Sequence, residues 1–144
     1  MNEYNLAIEY LTGLKLTDNS LSNAWIYSST GDCYEKQQLY NHAIDYYMKS
    51  LTMIEKILQN NDSLSCLETE LGRLNNCIGL CYDRNGQSNT LVLNYYKKSL
   101  EYYKNCDNFE NCIIVYKNIA IFCSKKNDYH LSIEYVRMCQ IQKI

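Results

Sequence analysis

LYNHAIDYYMKSL, residues 39–51, is written again near the start of the chain as EYNLAIEYLTGL (3–14) and near its end as DYHLSIEYVRMC (128–139). Aligned on Ala43, Ala7 and Ser132, each copy has a tyrosine three places earlier (Tyr40, Tyr4, Tyr129). An isoleucine follows, then an acid, then another tyrosine. A fourth copy, TLVLNYYKKSLEYY (90–103), matches through its YYKKSL and puts Val92 in the small-residue slot. The apolar positions recur at helical spacing, so each copy reads as an amphipathic helix.

A second pattern lies upstream of the last three copies. STGDCYEKQ holds Gly31 and Tyr34, CIGLCYDRNG holds Gly79 and Tyr82, and NIAIFCSKKN holds Ala120 and Cys123. Twelve residues separate Gly31 from Ala43 and Ala120 from Ser132, and thirteen separate Gly79 from Val92. The segments between them, EKQQLYN, DRNGQSN and SKKNDYH, are polar turns, with Gly86 placed to cap a helix C-terminus. The chain therefore writes a two-helix unit three times, preceded by the second helix of an earlier one. Helices joined by so short a turn approach closely only where side chains are small, so Gly31 is expected to face Ala43, and Ala120 to face Ser132.

Composition agrees. The 144 residues contain no proline and five glycines, which permits long uninterrupted helices. Fifteen tyrosines against two phenylalanines suit half-exposed helix faces whose ring tips reach water. A net charge of −2 gives no field for nucleic acid or an anionic membrane. The N-terminus has no basic and apolar signal pattern, and no run is long enough to span a membrane. Of the eight cysteines, Cys33, Cys77, Cys81, Cys112, Cys123 and Cys139 fall at or beside core positions, where a thiol serves as a small hydrophobe. That usage indicates a reducing, cytoplasmic location. Cys77 and Cys81 share a helix face, but neither a paired C-x-x-C nor a histidine at ligand spacing accompanies them, so no metal or other cofactor is expected. His42 and His130 have no nucleophile and orienting acid written around them, and no phosphate loop appears, so no catalytic residue is assigned.

The pairing of small–x–x–aromatic with Tyr–x–x–Ala resembles the tetratricopeptide repeat. It rests on Gly31, Tyr34, Tyr40, Ala43, Tyr47 and Ser50; on Gly79, Tyr82, Gly86, Tyr96 and Ser99; and on Ala120, Tyr129 and Ser132. The small residues recur at intervals of 48 and 41, against about 34 in the family. The extra length lies after the second helix, as in the elongated-helix repeats of kinesin light chain and cell-polarity adaptors. The family's usual proline is missing throughout. The resemblance implies an all-α fold: a right-handed α-solenoid of antiparallel helix pairs, with seven helices in about three and a half units. The helices are expected at 2–15, 22–37, 40–59, 64–85, 89–105, 109–126 and 129–143. They form one domain, 1–144, divided into a half unit 1–20 and units 21–61, 62–107 and 108–144.

In this family the first helices line a concave face that holds a partner peptide or helix. Carried over by position, the partner-binding residues are Trp25, Ser28, Asp32 and Glu35, then Arg73, Asn76, Leu80 and Asp83, then Lys117 and Ile121. Ile114 and Ser124 complete the last set. A basic group of the partner is expected near Asp32 and Glu35, with apolar anchors near Leu80 and Ile121. The version that clamps an acidic chaperone tail needs lysine, asparagine and arginine in slots that here hold Ser28, Asp32, Cys77, Ile114 and Asn118, so that partner is not expected. The implied function is a non-enzymatic adaptor for a protein or peptide. The alternative is a structural subunit or homo-oligomer that docks through its terminal helices, because Val136, Met138, Cys139, Ile141 and Ile144 have no later helix to cover them.

Overall fold

The computed structural model describes residues 2–14, 20–60 and 65–142. Among them are seven helices and no strand: α1 (Glu3–Gly13), α2 (Ser20–Lys36), α3 (Tyr40–Asn60), α4 (Ser65–Arg84), α5 (Asn89–Asn105), α6 (Phe109–Lys125) and α7 (Tyr129–Gln142). Each expected helix is present, with ends displaced by at most a residue or two. The expected terminal residues 15, 64 and 143 lie outside the described ones, as does Ile144.

The helices start and stop for local reasons. Side chains of Asn2, Ser88, Asn108 and Asp128 accept hydrogen bonds from the amides of Asn5, Leu91, Asn111 and Leu131, satisfying free donors at the starts of α1, α5, α6 and α7. At the ends of α2, α4, α5 and α6 the same reversal recurs. The Leu39 amide donates to Tyr34 O and the Gln38 amide to Glu35 O; Gln87/Gly86, Asn108/Asp107 and Asp128/Asn127 repeat the pair. The residue turning the chain has φ of 62° at Gln38, 66° at Gly86, 55° at Asp107 and 62° at Asn127. This is the Schellman arrangement, which favours glycine. Gln38→Gly should therefore stabilise the protein by about 0.5–1 kcal/mol, since a Cβ in the left-handed region costs more than glycine's added chain entropy. Urea unfolding with an unchanged m-value would show it. A loss of stability would mean that the Gln38 side chain holds the turn.

Consecutive helices pack against each other, most extensively within the pairs α2/α3, α4/α5 and α6/α7. One core cluster draws on α2, α3 and α4, a second on α5, α6 and α7, and Tyr82 packs against both. Side-chain bonds also link helices two apart in the chain. Asp32 of α2 pairs with Arg73 of α4, Asn76 of α4 with Asn118 of α6, and Glu55 of α3 with Tyr102 of α5.

One side-chain-to-backbone bond marks the unit three times. Ser50 Oγ donates to Ala24 O at 2.7 Å, Ser99 Oγ to Gly72 O at 2.6 Å, and Cys139 Sγ to Ile113 O at 3.7 Å. Each donor stands seven residues after the small residue of the second helix, and each acceptor seven before that of the first. The thiol replaces the hydroxyl in the last pair, and the larger sulfur lengthens the bond.

At the two glycines the closest approach is made by an aromatic ring. What a side chain on Gly31 would strike first is the ring of Tyr47, 2.6 Å from the added Cβ; at Gly79 it is Tyr96, at 3.0 Å. Glycine makes room for an aromatic face one turn beyond the small residue. In the last pair Ala120 and Val136 occupy these slots. There the two small residues do meet, with Ser132 Oγ donating to Ala120 O at 2.9 Å.

Candidate functional site: the shared face of α2 and α4

Ser28, Asp32 and Glu35 follow one another at three- and four-residue steps and so share one face of α2; Glu70, Arg73 and Cys77 do the same on α4. The two faces meet in one polar network. Arg73 Nη1 donates to Asp32 Oδ1 at 3.0 Å, while Nε and Nη2 grip Glu70 at 3.0 and 2.9 Å. Ser28 Oγ donates to Glu70 Oε1 at 2.9 Å and accepts from Arg73. Tyr47 enters from α3 across Gly31, its hydroxyl 2.7 Å from Asp32 Oδ1 and 2.6 Å from Glu35 Oε2. A hydroxyl has one hydrogen to give. Arg73 already serves Asp32, so Glu35 is the acceptor that depends on Tyr47.

The electrostatics follow from burial and from one surplus sign. Burial alone would lower the Arg73 guanidinium, but the hydrogen bonds it donates to Glu70 and the surrounding negative groups outweigh it and hold Arg73 charged. Burial, reinforced by the neighbouring thiol and carboxylates, pushes the Tyr47 hydroxyl far up, so it stays a donor. Three carboxylates face one guanidinium. The Glu70 side chain is buried at 8% exposure, whereas Asp32 retains 45%, so the surplus negative charge lies at Asp32 and Glu35.

Asp32, Glu35 and Cys77 each bring a potential ligand atom within 4.8 Å of the others. The chemistry of the set opposes a metal ion. Arg73 and Tyr47 already donate into both carboxylates, and burial, with Glu35 and Asp32 adding, pushes the Cys77 thiol up to about 12. A metal ligand must instead be a thiolate.

The network unites four of the residues singled out in the sequence: Ser28, Asp32, Glu35 and Arg73. Two of them change character. Ser28 is buried and spent on Glu70, so it offers a partner nothing. Arg73 reads in the sequence as a basic contact but is neutralised from two sides. The remaining positions lie along the same helices outside the network. Trp25 is exposed on α2; Asn76 accepts from Asn118; Leu80 is half-buried; Asp83 pairs with Lys125 at 3.3 Å; Lys117 and Ile121 are exposed on α6. Ile121 lines a shallow depression with Ser124, Ser132 and Val136. His42 stacks on Tyr34, and His130 is exposed beside Glu134.

Glu70, Tyr47 and Cys77 are the members that the slot assignment missed. Glu70 had a signal, an acid three residues before an arginine and within the apolar run Leu67–Leu71–Leu74. All eight cysteines are free; Cys81, Cys112, Cys123 and Cys139 are buried, Cys33, Cys77 and Cys106 half-buried, and Cys66 exposed. No described helix is long and apolar enough to cross a membrane. No family model matches the sequence, and comparison with curated proteins gives no match.

Proposed function

We propose that the chain is a right-handed α-solenoid of the tetratricopeptide kind and works as a non-enzymatic binding module. In this reading α2, α4 and α6 are the first helices of successive units and together present a groove to a partner segment. The observation that carries it is the set of like-to-like bridges, Asp32–Arg73, Asn76–Asn118 and Asp83–Lys125, which join the three helices edge to edge in chain order. The thrice-repeated hydroxyl or thiol bond supports the repeat independently of the sequence pattern.

The partner is a helical or extended segment with a lysine or arginine for Asp32 and Glu35 and apolar side chains for Leu80 and Ile121. Ile114 and Ile121, at 50% and 55% exposure, leave apolar area uncovered on α6. Covering such side chains is worth about 25 cal/mol per Å², and the surplus acid selects the sign of the partner's charge. An acidic tail would meet Asp32 and Glu35 unfavourably.

Fluorescence anisotropy with amphipathic peptides matched in apolar content and differing in charge tests this. Basic peptides should bind and weaken as salt rises. Glu35→Lys should lower their affinity about tenfold or more, equivalent to about 1.4 kcal/mol. Equal binding of acidic and basic peptides, or an unaltered affinity for the Glu35→Lys chain, would overturn the assignment.

A further inference from the structure

The first and last described helices carry nearly the same text and bury opposite halves of it. Glu3–Leu11 reads EYNLAIEYL and Asp128–Val136 reads DYHLSIEYV. On α1, Leu6 and Tyr10 are exposed (54% and 71%), while Ile8 and Leu11 are half-buried. Leu11 lines the junction with Ile26, Tyr27 and Thr30 of α2. On α7 the roles invert. Leu131 and Tyr135, the counterparts of Leu6 and Tyr10, are half-buried, and the Tyr135 ring packs on Tyr116 of α6 at 6.0 Å. Ile133 and Val136, the counterparts of Ile8 and Leu11, are exposed at 52% and 46%.

We propose that α7 of one molecule docks on α2 of a second copy, in the place that α1 occupies, and that the protein associates head to tail. The α1–α2 contact already shows that α2 accepts a helix of this sequence. Ile133 and Val136 supply nearly the apolar volume of Ile8 and Leu11, and Glu134 repeats Glu9 at the rim. The displaced helix is weakly held: α1 has no buried residue and belongs to neither core cluster. Docked this way, α7 would be covered by α6 of its own chain and α2 of the next, as α5 is covered by α4 and α6. The two surfaces differ from each other, so association continues past the dimer unless a ring closes. Tethered α1 competes at an effective concentration near millimolar. Association of the unsubstituted chain is therefore weak, and weakening α1 strengthens it.

Sedimentation of full-length chains from micromolar to near-millimolar concentration tests the proposal. Ile8→Glu with Leu11→Glu should lower the apparent dissociation constant about tenfold or more by removing the tethered competitor, with species larger than a dimer. Adding Ile133→Glu and Val136→Glu to that chain should return it to monomer; these residues are exposed, and circular dichroism checks that the helices persist. The proposal is overturned if the α1 variant stays monomeric, stops at a dimer as a symmetric α7–α7 contact would, or associates equally with the α7 substitutions present. Hydrogen exchange on the unsubstituted chain reads the same event: with rising concentration α1 amides should lose protection while α7 gains it, and no change in either also overturns it. The groove reading is independent of this one, since Glu35→Lys should leave the mass distribution unchanged.

Discussion

Gly31→Ala is expected to lose about 2 kcal/mol of stability and to lower Tm by about 5 °C. In an open helix the same change is favourable by up to about 1 kcal/mol, because alanine is the better helix former. Here the added Cβ would lie 2.6 Å from Cδ1 of Tyr47, near the root of the ring rather than its mobile tip. Tyr47 is fully buried and its hydroxyl is anchored at Glu35, so the ring cannot step aside without breaking that bond. Gly79→Ala should cost less, because its nearest ring atom, on Tyr96, is 3.0 Å away and a small shift suffices. The last helix pair solves the conflict from the other side, with alanine at 120 facing a slot that holds Val136 instead of tyrosine. The double variant Gly31→Ala, Tyr47→Val should therefore be less destabilised than the sum of the single changes, the non-additivity of residues in contact. Additive losses, or a neutral Gly31→Ala, would show that the glycine is not there to admit the ring.

How much of this was legible in the sequence depends on the range over which each fact acts. The helices were legible because periodicity and capping act within a few residues, and Gly86 turns the chain at the helix end it was expected to cap. The turn at Gln38 was less so: QQLYN offers neither glycine nor asparagine at the position that takes the left-handed conformation. Small residues at 31, 79 and 120 marked the tight places, and Ala120 does meet Ser132 as expected, but the rings that lie across Gly31 and Gly79 were not foreseen, since a ring can lie flat across a glycine as readily as two small residues can touch. Half of the polar network, Ser28, Asp32, Glu35 and Arg73, was legible only as groove positions that the resemblance implies, not as a network. The other half was not. Glu70, three residues before Arg73, lies within local reach, but the second carboxylate that neutralises Arg73, Asp32, stands on another helix 41 residues away. Local pattern cannot report that a hairpin brings α2 alongside α4.

Arg73→Met is expected to be the most damaging single change in the α2–α4 face, at about 2–4 kcal/mol. The pair it breaks is only partly buried, which places it below the roughly 3–5 kcal/mol typical of a fully buried pair losing one member. The asymmetry between partners sets the outcome. Asp32 keeps 45% of its side-chain exposure and can turn to water. Glu70 keeps 8%, and without Arg73 its one remaining donor is the Ser28 hydroxyl, so its charge would be stranded. The cost thus comes less from a lost attraction than from an uncompensated carboxylate. Neutralising that group should recover stability: Arg73→Met with Glu70→Gln should unfold at higher urea than Arg73→Met alone, with a coupling above about 1 kcal/mol in the double-mutant cycle. Asp32→Asn in place of Glu70→Gln should recover little, since water already serves Asp32. If the two rescues were equal, the buried end of the network would not be what joins α2 to α4, and the bridge at the exposed Asp32 would have to carry that contact instead.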